Sequence, residues 1–175
     1  SRIEEIVKRI RDILKEHEDK SRRVVEDIKR STEELKRALR EVVERIKTIL
    51  DDVRRRLVRD EKILRELEKR VREVIRKLEK LVEEDEDRDR ELIERLKEIS
   101  RTLRDVVRTV EKLLRDGKDV DKVLEDVRRV AKEADDRLEE LLERSKKLNK
   151  ETLDELERLL REVEELVKEV AERDR

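Results

Sequence analysis

The sequence predicts an all-α fold: an antiparallel up-down helical bundle, or coiled coil, of four helices with long outer and short inner members. Three observations carry this expectation. The chain of 175 residues is 59% charged, its apolar third is almost wholly Leu, Val and Ile, and it has no aromatic residue, Met, Cys or Pro. That alphabet with helical periodicity is the composition of long helices. The 51 Lys and Arg nearly balance 52 Asp and Glu, whereas disordered polyelectrolytes combine low hydrophobicity with high net charge. Finally, apolar residues recur in steps of three and four along almost the whole chain.

The first helix is expected over about 2–58. Its stripe runs Ile3, Val7, Ile10 and Leu14, passes His17 and Ser21, and resumes at Val24, Ile28, Ser31 and Leu35. It continues through Leu39, Val43, Ile46, Leu50, Val53 and Leu57. Flanking aliphatics at Ile6, Ile13, Val25, Val42 and Ile49 widen it to about three positions per heptad, the width of a bundle helix with neighbours on two sides. A turn is expected at Arg59-Asp60-Glu61-Lys62, where Asp60 takes an apolar position. A second helix follows over about 61–84. Glu83 to Glu91 has no apolar residue and puts Asp85 and Asp89 in core phase, so a second turn is expected there. The third helix covers about 88–115. Gly117 then stops the chain, Asp119 caps the next helix, and the fourth runs over about 119–173.

At 1.5 Å per residue the outer helices measure roughly 85 Å and the inner ones about 36 to 42 Å. Net charge by segment is +4 for 1–58, −2 for 59–87, +2 for 88–117 and −5 for 118–175. Neighbours in a four-membered ring are therefore opposite in sign, which disfavours wrong pairings. The inner helices would end near Ser31 and Ser145. Residues 1–30 and 148–175 would then project as a two-helix end. The aliphatics there are Ile3, Ile6, Val7, Ile10, Ile13 and Leu14, with Leu156, Leu159, Leu160, Val163, Leu166, Val167 and Val170. Two helices cannot cover that surface, and contiguous exposed apolar area marks an association site.

A few neutral polar residues occupy core phase: His17, Ser21, Ser31, Ser145 and Thr152, with Asn149 beside them. Neutral groups at such positions suggest a buried hydrogen-bond layer, where charged ones suggest a solvated turn. Ser31-x-x-Glu34 and Thr152-x-x-Glu155 also match capping boxes, which would start helices instead. Ser100, Thr102, Thr48 and Thr109 are either a second layer or surface residues that bond to the helix backbone.

Aliphatic cores, Glu/Lys/Arg-saturated surfaces and sparse polar layers together resemble de novo designed helical bundles with buried hydrogen-bond networks. The segments His17-Glu18-Asp19-Lys20-Ser21-Arg22-Arg23-Val24-Val25 and Arg30-Ser31-Thr32-Glu33-Glu34-Leu35 carry that style. The resemblance covers the whole chain. It implies a scaffold, an oligomer, a heterodimer component or a switch, with polar layers that specify register or partner.

Little chemistry is expected. Without Cys there is neither disulfide nor thiolate, and no stretch approaches the roughly 20 apolar residues of a membrane span. Ser1 to Glu5 already has helical patterning, so no targeting signal is expected. His17 lacks the Glu-x-x-His spacing of a bundle di-metal site, so no metal or cofactor is anticipated. Arg54-Arg55-Arg56 is a solvated face, since balanced charge and missing aromatics argue against nucleic acid. Catalysis by a serine would need a base in reach and an oxyanion site, so neither an enzyme nor a small-molecule substrate is expected. The leading expectation is a designed scaffold that pairs with itself or with a designed helical partner. The alternatives are a bundle that switches on binding a peptide or on protonation of His17, and a closed monomeric bundle.

Overall fold

The computed structural model describes residues 2–117 and 119–173, except the side chains of Leu57 and Val120. It contains three long helices, α1 (Arg2–Asp52), α2 (Glu61–Arg115) and α3 (Val120–Arg173), with no strand among the described residues. The all-α expectation holds; the four-helix bundle does not. The segments expected at 61–84 and 88–115 are one unbroken helix of 55 residues.

The two true turns have local causes. α1 ends in a π-turn, Val53–Leu57, closed by the Val58 N–H donating to the Val53 carbonyl at 3.1 Å. Val58 is extended, at φ −132° and ψ 125°. Asp60 then caps α2, accepting the Lys62 N–H on Oδ1 at 2.9 Å, while its carbonyl accepts the Leu64 N–H at 3.1 Å. At the other turn Gly117 takes φ +82°, which an L side chain rarely adopts. Asp119 caps α3 in the same way as Asp60, accepting the Asp121 N–H at 3.2 Å.

Packing divides the chain into two units, each containing part of every helix. The first comprises residues 2–30 and the stretch from 89 to 146. Its apolar groups are Ile6 and Ile10 with Val107, Leu114, Leu124 and Val127; Leu103 with Ala131 and Ala134; and Val24 and Ile28 with Leu96 and Leu138. The second comprises 31–88 and 147–173. There Leu35, Ile46 and Val53 of α1 and its π-turn meet Leu67, Val71, Leu78 and Val82 of α2, and Leu156, Leu159, Leu160, Val163, Val167 and Val170 of α3. Full burial of each such side chain contributes about 1.5 to 3 kcal/mol.

The residues expected to form a projecting association end therefore belong to internal cores. Ile6 and Ile10 are buried, with Val7, Ile13 and Leu14 packed against their clusters; Ile3 alone of that arm is exposed. Leu156, Leu159, Leu160, Val163, Val167 and Val170 are buried in the other unit, with Leu166 packed against them. The reason is the unbroken α2, which supplies a third helix to each unit and so leaves no two-helix overhang. Three helices also make α1 and α3 parallel within each unit, where four would make them antiparallel. In the first unit Lys20 pairs with Glu139, and in the second Arg45 pairs with Glu164, the same sequence offset in both.

Candidate functional site: buried polar layers

The polar residues that lie in core phase are buried, but not as one layer. In the first unit His17, on α1, is 1% exposed and bonded on both ring nitrogens. Nδ1 lies 2.8 Å from Asp135 Oδ1 on α3, and Nε2 lies 3.3 Å from Ser100 Oγ on α2. Ser100 Oγ is also 3.1 Å from Ser21 Oγ, one turn beyond His17. One network thus ties three helices at one level. Separately, the Ser145 hydroxyl donates to buried Asp89 at 2.8 Å.

The second unit has its own pair of layers. The Asn149 amide donates to Ser31 Oγ at 2.6 Å, joining α3 to α1. The Thr152 hydroxyl lies 3.1 Å from the Leu148 carbonyl and 3.5 Å from Asp85 on α2. Asp85 is ion-paired with Arg88, one turn along its own helix. Asp85 Oδ2 and Asn149 Oδ1 have no hydrogen-bond donor among the described residues. No helix starts at Ser31 or Thr152, so neither capping-box match is used.

Asp85, Asp89, Ser100 and Asp135 are the members that sequence analysis missed or left unresolved. Asp85 and Asp89 had the right phase, but their charge suggested solvent. Burial is tolerable because each faces a donor, Arg88 or Ser145, and paired polar groups lose less on leaving water. Thr48, Thr102 and Thr109 are exposed and bond the carbonyls of Glu44, Glu98 and Asp105, four residues back. They are backbone bonders and form no second layer.

Around these layers charge acts locally. Lys36 sits 2.9 Å from Glu86, whose hydrogen bond and charge raise the ammonium above the usual lysine range. Glu155 is held below the usual carboxylate range by a hydrogen bond from Arg158. Among the described residues no cluster of His, Asp and Glu is arranged to hold a metal ion, and no helix is long and apolar enough to cross a membrane. No protein-family model, curated protein sequence or solved structure matches the chain.

Proposed function

We propose that the chain is a designed structural scaffold, a self-contained helical bundle whose three helices cover one another's apolar stripes. The observation that carries this is burial. Among the described residues only Ile3 and Leu113 are exposed large hydrophobics, at 40% and 38%. The surface that would have recruited a second copy or a partner helix is already used inside the two cores. The polar layers support the same role, because a slipped helix would separate His17 from Asp135, or Ser31 from Asn149, and strand their polar atoms. Buried polar groups at core positions specify register in this way at some cost in stability. The attribution to design rests on the aliphatic alphabet and the sparse polar layers, which resemble designed hydrogen-bond-network bundles.

Light scattering on the purified chain tests this. The expected mass is that of one chain, 21.4 kDa, unchanged across a hundredfold range of concentration. A dimer or larger species would overturn the self-contained scaffold and restore an association role.

A further inference from the structure

Serine-dependent acyl transfer uses a nucleophile, a base and a carboxylate that orients the base. The first unit places all three in line, one from each helix. Ser100 Oγ lies 3.3 Å from His17 Nε2, and His17 Nδ1 lies 2.8 Å from Asp135 Oδ1. With Nδ1 donating to the Asp135 carboxylate, Nε2 turns its lone pair to Ser100. That is the tautomer a general base requires. The 3.3 Å separation is slightly long, as unliganded catalytic pairs often are.

Ser100 is itself buried, at 7% exposed against 1% for His17, but it borders the surface. It lines a cleft of about 350 Å³ between α1 and α2, together with Ser21, Glu18, Arg22, Lys97, Arg101 and Arg104. Four cations face one carboxylate there. Arg104 is bonded to Glu18 at 2.9 Å and Lys97 pairs with Glu94 at 3.4 Å, whereas Arg22 and Arg101 have no ion pair among the described residues. Backbone N–H groups inside a helix are already used, so charge developing on an acyl oxygen must be met by side chains. Positioned guanidinium groups can do this.

We propose that Ser100 is an acylatable nucleophile, with His17 as its base and Asp135 positioning the imidazole, in a cleft that takes activated carboxylic esters and favours those bearing an anionic group. Ser100 Oγ bonds to the acyl carbon as its proton passes to His17 Nε2. The carbon–oxygen bond to the leaving alcohol breaks, and that alcohol takes the proton from His17. Water then attacks the acyl-serine and gives a proton to His17, which returns it to Ser100 as the carboxylic acid leaves.

The test is labelling of the intact chain with a fluorophosphonate, which loses fluoride to an activated serine, followed by peptide mapping. A single adduct on Ser100 is expected. It should form at least about 100-fold more slowly in His17→Gln, the lower range for removing a general base. No adduct, an adduct on Ser21, or an unchanged rate in His17→Gln would each overturn the proposal. Asp135 lies toward the surface, so Asp135→Asn and Asp135→Glu keep the fold testable, with helicity checked by circular dichroism. The Asn variant should slow labelling and the Glu variant restore it in part; equal rates in all three would remove Asp135 from the array. For substrate class, the 4-nitrophenyl monoester of glutarate should be accelerated over buffer more than 4-nitrophenyl butyrate. Equal acceleration would overturn the anionic preference.

Discussion

Asp85 is the residue whose burial most needs a physical reason. It is 1% exposed and paired with Arg88, which keeps about a third of its side chain in solvent. Removing one partner of a buried pair leaves an uncompensated charge, whereas replacing both partners by well-packed aliphatics is neutral or stabilising. Arg88→Leu alone is therefore expected to lower unfolding free energy by about 3 kcal/mol, while Asp85→Leu combined with Arg88→Leu leaves it unchanged or raises it by about 1 kcal/mol. Chemical denaturation measures both. Thr152 keeps its bond to the Leu148 carbonyl in the double variant, and the buried Arg88 nitrogens leave with Arg88, so no new orphan offsets the gain. The phase of Asp85 was legible in the sequence, but its partner was not: i,i+3 Asp–Arg spacing also occurs at exposed sites such as Asp126 and Arg129. Lys36 offers a pH test. Its ammonium is stabilised in the folded state, so its contribution is complete below the unfolded lysine value and fades as pH rises through the folded one. Lys36→Met should remove that alkaline decline. The effect should stay under about 1 kcal/mol, because water screens a side chain one-third exposed.

At the scale of elements, the ends of α2 were readable and its middle was not. Asp60 and Asp119 signal turns because each caps a helix N-terminus, and Gly117 does so because it accepts a positive φ. A run such as Glu83 to Glu91 offers Asp85, Asp87 and Asp89, the residue type that caps the other two helices, yet none of them starts a helix here. It lacks apolar residues yet contains neither Gly nor Pro, and Asp85 and Asp89 find partners on α3, Thr152 and Ser145, that the sequence does not display. A proline separates the two architectures. Asp87→Pro would be mild in a turn between short helices, but inside a continuous helix it costs about 3 kcal/mol or more. A thermal melt lowered by only a degree or two would contradict the continuous α2. At the other turn, Gly117 has no atom within 4 Å of where a Cβ would stand, so space is not the constraint. Its φ of +82° is. Gly117→Ala is expected to cost about 1 kcal/mol, and Gly117→Asn less, since Asn visits that region more readily; denaturant midpoints rank the three.

For the molecule as a whole, charge by helix changes meaning once the count falls to three. Residues 59–117 contain 18 basic and 18 acidic residues, so α2 with its turns is neutral between a segment at +4 and one at −5. Segment charge correctly opposed the first helix to the last, but an even number of helices set them antiparallel. In the structure α1 supplies the cation and α3 the anion in the exposed pairs that join them: Arg2 with Asp121, Lys20 with Glu139, Arg45 with Glu164. Each is individually worth little. Together they favour the side-by-side, parallel placement of two helices that no turn connects. Replacing Lys20 and Arg45 by Glu puts like charges at two of these contacts. The double variant should lose about 1 to 2 kcal/mol at low salt and recover most of it in about 1 M NaCl, where the screening length falls to about 3 Å. Adding Glu139→Lys and Glu164→Lys should restore stability without salt. A loss that persists in high salt, or that the compensating changes fail to reverse, would show that the lysine and arginine stems act by covering apolar surface and that charge does not set the pairing of α1 with α3.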